Sequence, residues 1–315
     1  MSRYRCQLLE PNWSSVVESI ATKVTAFKHR PHLGLLTGGF MSIGPICEVT
    51  ILTCDLTHSL EMYAKAFNWT IEPQESTHIQ TASRWLPEEL KTSHQRRVGG
   101  PGGSVRFIET KSIDPMRPLT THGWTALEIC VDDVYAYTEQ AVNAGFTMLN
   151  EPVKLEGSKN PLPLIAAQIA GINGEVVYVT QILDEVPNFE LPDVSKESGS
   201  IFICVLGASN LEESRQNLEQ SFDLKRVSDR SVAIKVINKV FELPIANLHR
   251  ISSLQLLGRN AIEIDQMPPV AVPRKVQLGS LVPGISIVSV KANISKPEMF
   301  ELPDNALLEL IPQDV

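Results

Sequence analysis

The hydrophobic positions of the chain repeat one arrangement, in which a strand-like apolar run is followed by an acidic or amide residue and an amphipathic helix. The first run, residues 46–53 (ICEVTILT), precedes Asp55, after which apolar residues recur at helical spacing. The same order begins at residues 124–131 (WTALEICV), 201–206 (IFICVL) and 285–290 (ISIVSV), which precede Asp133, Asn210 and Asn293. Repetition at this scale predicts a repeated structural module.

Each unit also ends in a similar strand. These final strands are residues 105–109 (VRFIE), 175–180 (EVVYVT), 261–265 (AIEID) and 306–310 (ALLEL). A βαβββ module accounts for this order, so the predicted fold class is α+β. One helix cannot cover the apolar face of such a sheet, and modules are therefore expected to pair around a shared cavity. The fourth unit has only residues 285–315, so it is predicted to be truncated.

The predicted organisation has four parts. Residues 1–42 form an N-terminal arm with one helix, which begins at a capping box of Ser15 and Glu18. Residues 43–183 form a first lobe of two paired modules and hold the active or binding site. The acidic, proline-bearing residues 184–198 form a linker. Residues 199–315 form a second, degenerate and structural lobe. The arm is interpreted as packing on the body or as preceding a later start at Met41, with a mitochondrial targeting helix as the alternative.

The composition disfavours several classes of binding partner but does not identify one. The 315 residues carry 28 Lys and Arg against 36 Asp and Glu, a formal net charge of −8. An acidic surface disfavours nucleic acid and anionic membranes, because phosphate contacts need clustered cations. No apolar run approaches the roughly 20 residues of a membrane span. The five cysteines are scattered and form no CxxC pair, which indicates reduced thiols and a cytoplasmic protein. A small-molecule ligand is the expected partner, and a homodimer is left open.

The repeated segments resemble the vicinal oxygen chelate superfamily, which includes glyoxalases, bleomycin-resistance proteins and extradiol dioxygenases. The matching segments are EVTILTCDL, ALEICVDDV, GEVVYVTQI and PDNALLELI, and the resemblance covers residues 43–315. It implies two lobes of paired modules.

In metal-dependent members, each module supplies a ligand seven residues before the helix-opening Asp and a Glu on its last strand. The corresponding residues, module by module, are Glu48 and Phe107, Ala126 and Tyr178, Ile203 and Glu263, and Ser286 and Glu309. No position holds a histidine, and affinity for a transition metal depends on several correctly placed donors. No metal ligand and no cofactor are therefore predicted. The alternative is a divalent metal with displaced ligands, such as His94 or His122.

Strand alternation predicts the side chains that face the first cavity. On this basis Glu48, Glu128, Glu109 and Tyr178 face inward, among apolar walls that include Phe107 and Cys130. Buried carboxyl groups have raised pKa values and can act as acid or base. Glu48 or Glu128 is therefore the predicted base, and Tyr178 or His94 the predicted acid. The alternative is that these carboxylates face solvent or pair with Arg106 or Arg84.

The connection from residue 73 to residue 103 is long for such a module, and long loops in compact domains are often binding loops. It carries His94 and Trp85, and Trp85 could stack on a ligand or pack the loop against the sheet. Trp124 lies at the predicted cavity mouth, with a core role as the alternative.

Three functions compete. The first is a lyase or isomerase that moves a proton on a small carbonyl- or hydroxyl-bearing metabolite. The second is a non-catalytic binding protein of the bleomycin-resistance type, in which Phe107, Tyr178, Trp85 and Trp124 clamp a flat ligand. The third is a metal-dependent glyoxalase- or dioxygenase-like enzyme with displaced ligands.

Overall fold

A computed structural model describes residues 41–73, 90, 93–113, 116–156, 161–276 and 281–313. The predicted helix of the arm and Trp85 lie outside the described residues. Within the described residues, no helix is long and apolar enough to cross a membrane.

Four successive modules make up residues 43–312. The first contains β1 (Ile43–Thr53), α1 (Leu56–Phe67), β2 (Thr70–Ile71), β3 (Gln95–Gly99) and β4 (Ser104–Glu109). The second contains β5 (Gly123–Val131), α2 (Val134–Ala144), β6 (Thr147–Lys154), β7 (Leu164–Ala170) and β8 (Val176–Ile182). A short helix, α3 (Val194–Glu197), lies in the linker.

The third module contains β9 (Ser200–Ala208), α4 (Leu211–Ser221), β10 (Lys225–Val232), α5 (Lys235–Val240), β11 (His249–Gln255) and β12 (Ala261–Gln266). The fourth contains β13 (Ile285–Ala292), β14 (Glu298–Leu302) and β15 (Ala306–Pro312). Apart from the 3-10 turn Pro303–Asn305, its described residues contain no helix. The predicted truncated module is thus present, although it keeps one middle strand.

In the first three modules, the polar residue after the first strand begins the following helix. The Oδ1 atom of Asp55 accepts a hydrogen bond from the backbone N–H of His58 at 2.9 Å. Asp133 caps α2 in the same way, through Tyr135 N–H at 3.0 Å, and Asn210 caps α4. Such caps satisfy N–H groups that the first helical turn leaves free. Asp55, Asp133 and Asn210 are therefore helix caps.

The strands of the described residues form two sheets, and the modules pair differently from the predicted consecutive order. Within this part of the chain, one sheet has seven strands in the order β14-β15-β13-β1-β4-β3-β2, and the other has eight in the order β10-β11-β12-β9-β5-β8-β7-β6. The first module joins the fourth through antiparallel pairing of β1 with β13, and the second joins the third through β5 with β9. All four first strands are apolar and alike, so the sequence does not distinguish which pairs will meet.

The largest apolar cluster lies on the helix-covered face of the two sheets. It joins one face of β1, β5, β9 and β13 with the apolar sides of α1, α2 and α4. Tyr63, Phe67 and Trp69 of the first module pack there with Phe146, with ring centroids 5.1–6.0 Å apart. The opposite, concave face of each sheet has a separate apolar cluster. These two concave faces are the places where side chains of paired modules converge.

A candidate small-molecule cavity between the second and third modules

A cavity of about 610 Å³ lies over the concave face of the eight-stranded sheet. Its floor comes from β5, β7, β8, β9, β11 and β12. Its walls come from β6, β10, the linker and the start of α5. The volume is within the range of small-molecule sites, roughly 300–1,000 Å³. The polar residues of the floor are Glu128, Gln168, Tyr178, Thr180, Ser253, Glu263 and Asp265, and Arg230 faces them from β10.

Three carboxyl groups meet in this cavity from two modules. Glu128 lies on β5, beside Tyr178 of β8 in the register of the two parallel strands, and is only 6% exposed. Its Oε2 atom accepts a hydrogen bond from the hydroxyl of Thr180 at 3.0 Å. Glu263 and Asp265 are two positions apart on β12, so their side chains share one face of the sheet.

Burial raises the pKa values of all three carboxyl groups, and repulsion between carboxylates adds to the increase for Glu128 and Asp265. The pKa of Glu128 rises to about 8, first because the group is buried and then because of the negative charge of Glu263. The pKa of Asp265 rises well above its usual value, through burial and then the charges of Glu263 and Glu128. The positive charge of Arg230 opposes both increases. Burial, followed by the charge of Asp265, also raises the pKa of the Tyr178 phenol, which is therefore neutral. Near neutral pH the cavity thus contains a carboxyl group able both to lose and to gain a proton.

The concave face of the seven-stranded sheet is occupied by an ion network. Glu48 pairs with Arg97 and, at 3.1 Å between Oε1 and Nε, with Arg106. Arg106 is 2% exposed and also lies 4.0 Å from Glu309, which accepts a hydrogen bond from Ser289 at 2.7 Å. The alternative that Glu48 pairs with Arg106 is therefore the one observed, and Glu48 does not reach the cavity.

Phe107 faces the opposite side of its strand from the predicted one. In the parallel pairing of β1 with β4, Arg106 is beside Thr50 and donates to its hydroxyl at 2.6 Å. Phe107 consequently packs against Tyr63 of α1, with ring centroids 5.3 Å apart. Its predicted inward orientation is wrong because β4 is shifted by one residue relative to the alternation assumed for it. A shift of one residue exchanges the two faces of a strand.

The other predicted residues also lie away from the cavity. His94 and Glu109 form a 3.1 Å pair at an exposed position of the first module. Trp124 is buried in the core behind the sheets, and its Nε1–H donates to the carbonyl of Leu307 at 2.8 Å. Cys130 lies in the apolar cluster on the concave face of the eight-stranded sheet, and its thiol donates to the carbonyl of Glu197 at 3.2 Å. Of the predicted catalytic residues, the structure brings together Glu128 and Tyr178.

Sequence reasoning missed the contribution of the third module. The alternation in residues 261–265 (AIEID) already places Glu263 and Asp265 on one face, but their module was assigned a structural role. Ser253, which donates to Glu263 at 3.4 Å, and Arg230 had no motif that would mark them. They are found only once β10, β11 and β12 are known to face β5 and β8.

The donors in the cavity do not fit the divalent-metal site that the superfamily resemblance implies. The four corresponding positions are Ala126, Tyr178, Ile203 and Glu263, which offer one carboxylate and no imidazole. Among the described residues, no group of three or more His, Cys, Asp and Glu side chains could hold a metal ion. His122, one of the two alternative metal ligands, does not line the cavity. Its Nδ1 atom lies 3.7 Å from Oδ1 of Asp304.

Comparison with solved structures places the fold. Glyoxalase I from Zea mays superposes with a TM-score of 0.54 at 13% identity, covering 85% of this chain and 92% of that one. A putative dioxygenase from Bacillus subtilis superposes with a TM-score of 0.57 at 10% identity, covering 87% and 86%. No protein-family model matches the sequence, and no curated protein matches it. At such low identity the likeness concerns the fold alone.

Proposed function

We propose, from the premise that this chain has the vicinal oxygen chelate fold, that the cavity binds a small carbonyl- or hydroxyl-bearing molecule and that Glu128 moves a proton on it. The reaction would be that of a lyase or an isomerase. The observation that carries the proposal is the position of Glu128, a carboxyl group in the floor of the cavity whose burial raises its pKa to about 8. A general acid or base is most effective when its pKa is near the working pH.

The residues around Glu128 support this role. The Thr180 hydroxyl holds one carboxylate oxygen of Glu128 and so fixes the orientation of the other. Ionised Glu128 would take a proton from the carbon next to a carbonyl, leaving the electron pair on an enolate. Tyr178 is the neighbouring neutral donor for the enolate oxygen, and the charge of Arg230 would stabilise it. Return of the proton to a different carbon gives isomerisation, whereas its transfer to a departing hydroxyl gives elimination.

The test is proton exchange. The purified protein is incubated in D₂O with a panel of small carbonyl metabolites, and deuterium incorporation is followed by NMR. We expect exchange with the wild-type protein and a loss of about 10²- to 10⁴-fold in Glu128→Gln, which cannot accept the proton. Glu156→Gln, at the exposed rim of the same cavity, is the matched control and should retain the wild-type rate. Exchange that survives in Glu128→Gln would show that Glu128 is not the base.

The pH profile gives an independent check. Ionised Glu128 is the reactive form, so kcat/KM should rise with pH and level off above about 8. The charged and titratable groups that face Glu128 are Glu263, Asp265, Arg230 and Tyr178. Removing the charge of Glu263 in Glu263→Gln should lower the midpoint of the profile. A midpoint unchanged in this variant would contradict the assignment.

A non-catalytic binding protein is the second candidate. It is favoured by the rings of Tyr178, Phe189 and Phe202, which line the same cavity and could clamp an apolar ligand. Tight binding of a ligand without deuterium exchange would support this function.

A further inference from the structure

The floor of the cavity has more acidic than basic side chains. Glu128, Glu263 and Asp265 face a single guanidinium, that of Arg230. Within the described part of the chain, no ion pair within 4 Å joins Arg230 to any of the three carboxyl groups. The three carboxyl groups thus share one basic side chain, which forms no close ion pair with any of them, and a bound cation would favour their ionised forms.

The rim of the cavity does not supply the missing positive charge. Lys154 and Lys235 are exposed there, and so are Glu156 and Asp229, so the rim charges are equal in number. Lys154 and Lys235 are also free to extend into water, where their charge is strongly screened. The excess of acidic over basic groups thus belongs to the buried floor.

Two buried polar atoms of the cavity lining have no hydrogen-bond partner among the described residues: Oδ1 of Asp265 and Nε of Arg230. Asp265 is the more deeply placed acidic group, at 2% exposure. Buried carboxyl oxygens in folded proteins are normally hydrogen-bonded, because desolvation without a partner is costly. A donor that enters with the ligand would supply both the hydrogen bond and the positive charge.

The walls around this floor suit an apolar or aromatic ligand body. Tyr178, Phe189 and Phe202 line the cavity together with Ile203 and Val236. Aromatic rings also attract cations over their faces. An anionic ligand, by contrast, would bring its charge close to three carboxyl groups and only one guanidinium.

We infer that the ligand of this cavity is a cationic small molecule, in which a protonated amine, amidine or guanidine is attached to an apolar body and its charged head lies against Asp265 and Glu263. The inference rests on the proposed function only in that it uses the same cavity. It adds the chemical class of the ligand, which the proton-transfer role of Glu128 leaves open.

Three probes with a common phenyl ring test the inference. Benzamidine is a cation, benzamide is its neutral analogue and benzoate is an anion, and their binding to the wild-type protein is measured by isothermal titration calorimetry at neutral pH. We expect benzamidine to bind at least about tenfold more tightly than benzamide, and benzoate more weakly than either. Equal binding of benzamide, preference for benzoate, or no detectable binding of benzamidine would overturn the inference.

Variants then test which carboxyl group holds the cationic head of the probe. Asp265→Asn keeps the shape of the side chain and should weaken benzamidine about tenfold while leaving benzamide within about twofold. Glu263→Gln should act in the same direction and serves as the second variant if Asp265→Asn does not fold. Glu156→Gln removes the same charge from the rim and should leave both probes unchanged. If it weakens benzamidine as much as Asp265→Asn does, general attraction by the acidic surface explains the binding and the inference is wrong.

The outcomes separate the inference from the proposed function. Cation preference that depends on Asp265, together with undiminished exchange in Glu128→Gln, would retain the ligand class and refute the proton transfer. Preference for benzoate, together with loss of exchange in Glu128→Gln, would do the reverse.

Discussion

Replacing Glu175 by Gln should make the protein more stable at neutral and alkaline pH. Glu175 directly precedes β8 and is completely buried. Its Oε1 atom accepts a hydrogen bond from the Tyr63 hydroxyl at 3.3 Å, and its Oε2 atom accepts one from the backbone N–H of Asn173 at 3.0 Å. Burial raises the pKa of this carboxyl group from 4.5 to about 7, although these hydrogen bonds oppose the increase. The ionised form is therefore disfavoured in the folded protein.

The size and sign of the effect follow from this pKa. The folded state holds the proton more tightly than the unfolded state, so stability is greatest below the unfolded pKa and falls as pH rises from about 4.5 to about 7. The difference between these two values corresponds to about 3 kcal/mol of unfolding free energy. Glutamine cannot ionise, and its amide can accept from Asn173 while its NH₂ group donates to the Tyr63 oxygen. Glu175→Gln should thus avoid this loss of unfolding free energy at higher pH.

Urea denaturation at several pH values measures the effect. We expect the two proteins to have similar unfolding free energies near about pH 4.5 and the variant to be more stable by up to about 3 kcal/mol above about pH 8. The other buried carboxyl groups are common to both proteins, so their contributions cancel in the difference. Glu139→Gln, at an exposed position of α2, is the control and should show no such pH dependence. A difference between Glu175→Gln and wild type that does not grow between these pH values would refute the reasoning.

Two further predictions concern the ion network and the pairing of modules. Arg106→Met should destabilise the protein by about 3–5 kcal/mol in urea denaturation, because it leaves Glu309 buried without its cation; a loss below about 1 kcal/mol would mean that Arg97 alone balances the network. A fragment of residues 43–183 should fail to fold as a monomer, because β1 and β5 lose their partners β13 and β9. A well-dispersed amide NMR spectrum from a monomeric fragment would contradict the observed pairing, and the complete chain from residue 41 is the control.

The sequence was sufficient for the modules and for part of the site. Each of the first three modules is recognisable from its local sequence, which is an apolar strand followed by the capping Asp55, Asp133 or Asn210. Glu128 and Tyr178 were identified because alternation is regular along β5 and β8, both of which are central strands. Local information of this kind does not depend on distant parts of the chain.

The rest of the fold and of the site depends on contacts between residues that are far apart in the sequence. Phe107 was placed on the wrong face because the register of β4 is set by its neighbours. The role of Asp265 required the knowledge that the third module faces the second. Glu48 was misassigned because Arg97 and Arg106 of the neighbouring strands pair with it. Because the first strands of all modules are similar, the sequence does not show which modules pair.

The second module pairs with the third, and the first pairs with the fourth. This order has a consequence for folding during synthesis on the ribosome. The strands of the eight-stranded sheet are contiguous in the chain, from β5 to β12, and all have been synthesised by residue 266. The first module, although made earliest, has to wait for β13, whose Val288 pairs with Val49. Until then β1 presents an unpaired apolar edge, the kind of surface that chaperones protect. The inner cavity can therefore form during translation, whereas the outer sheet closes only when the last strands emerge.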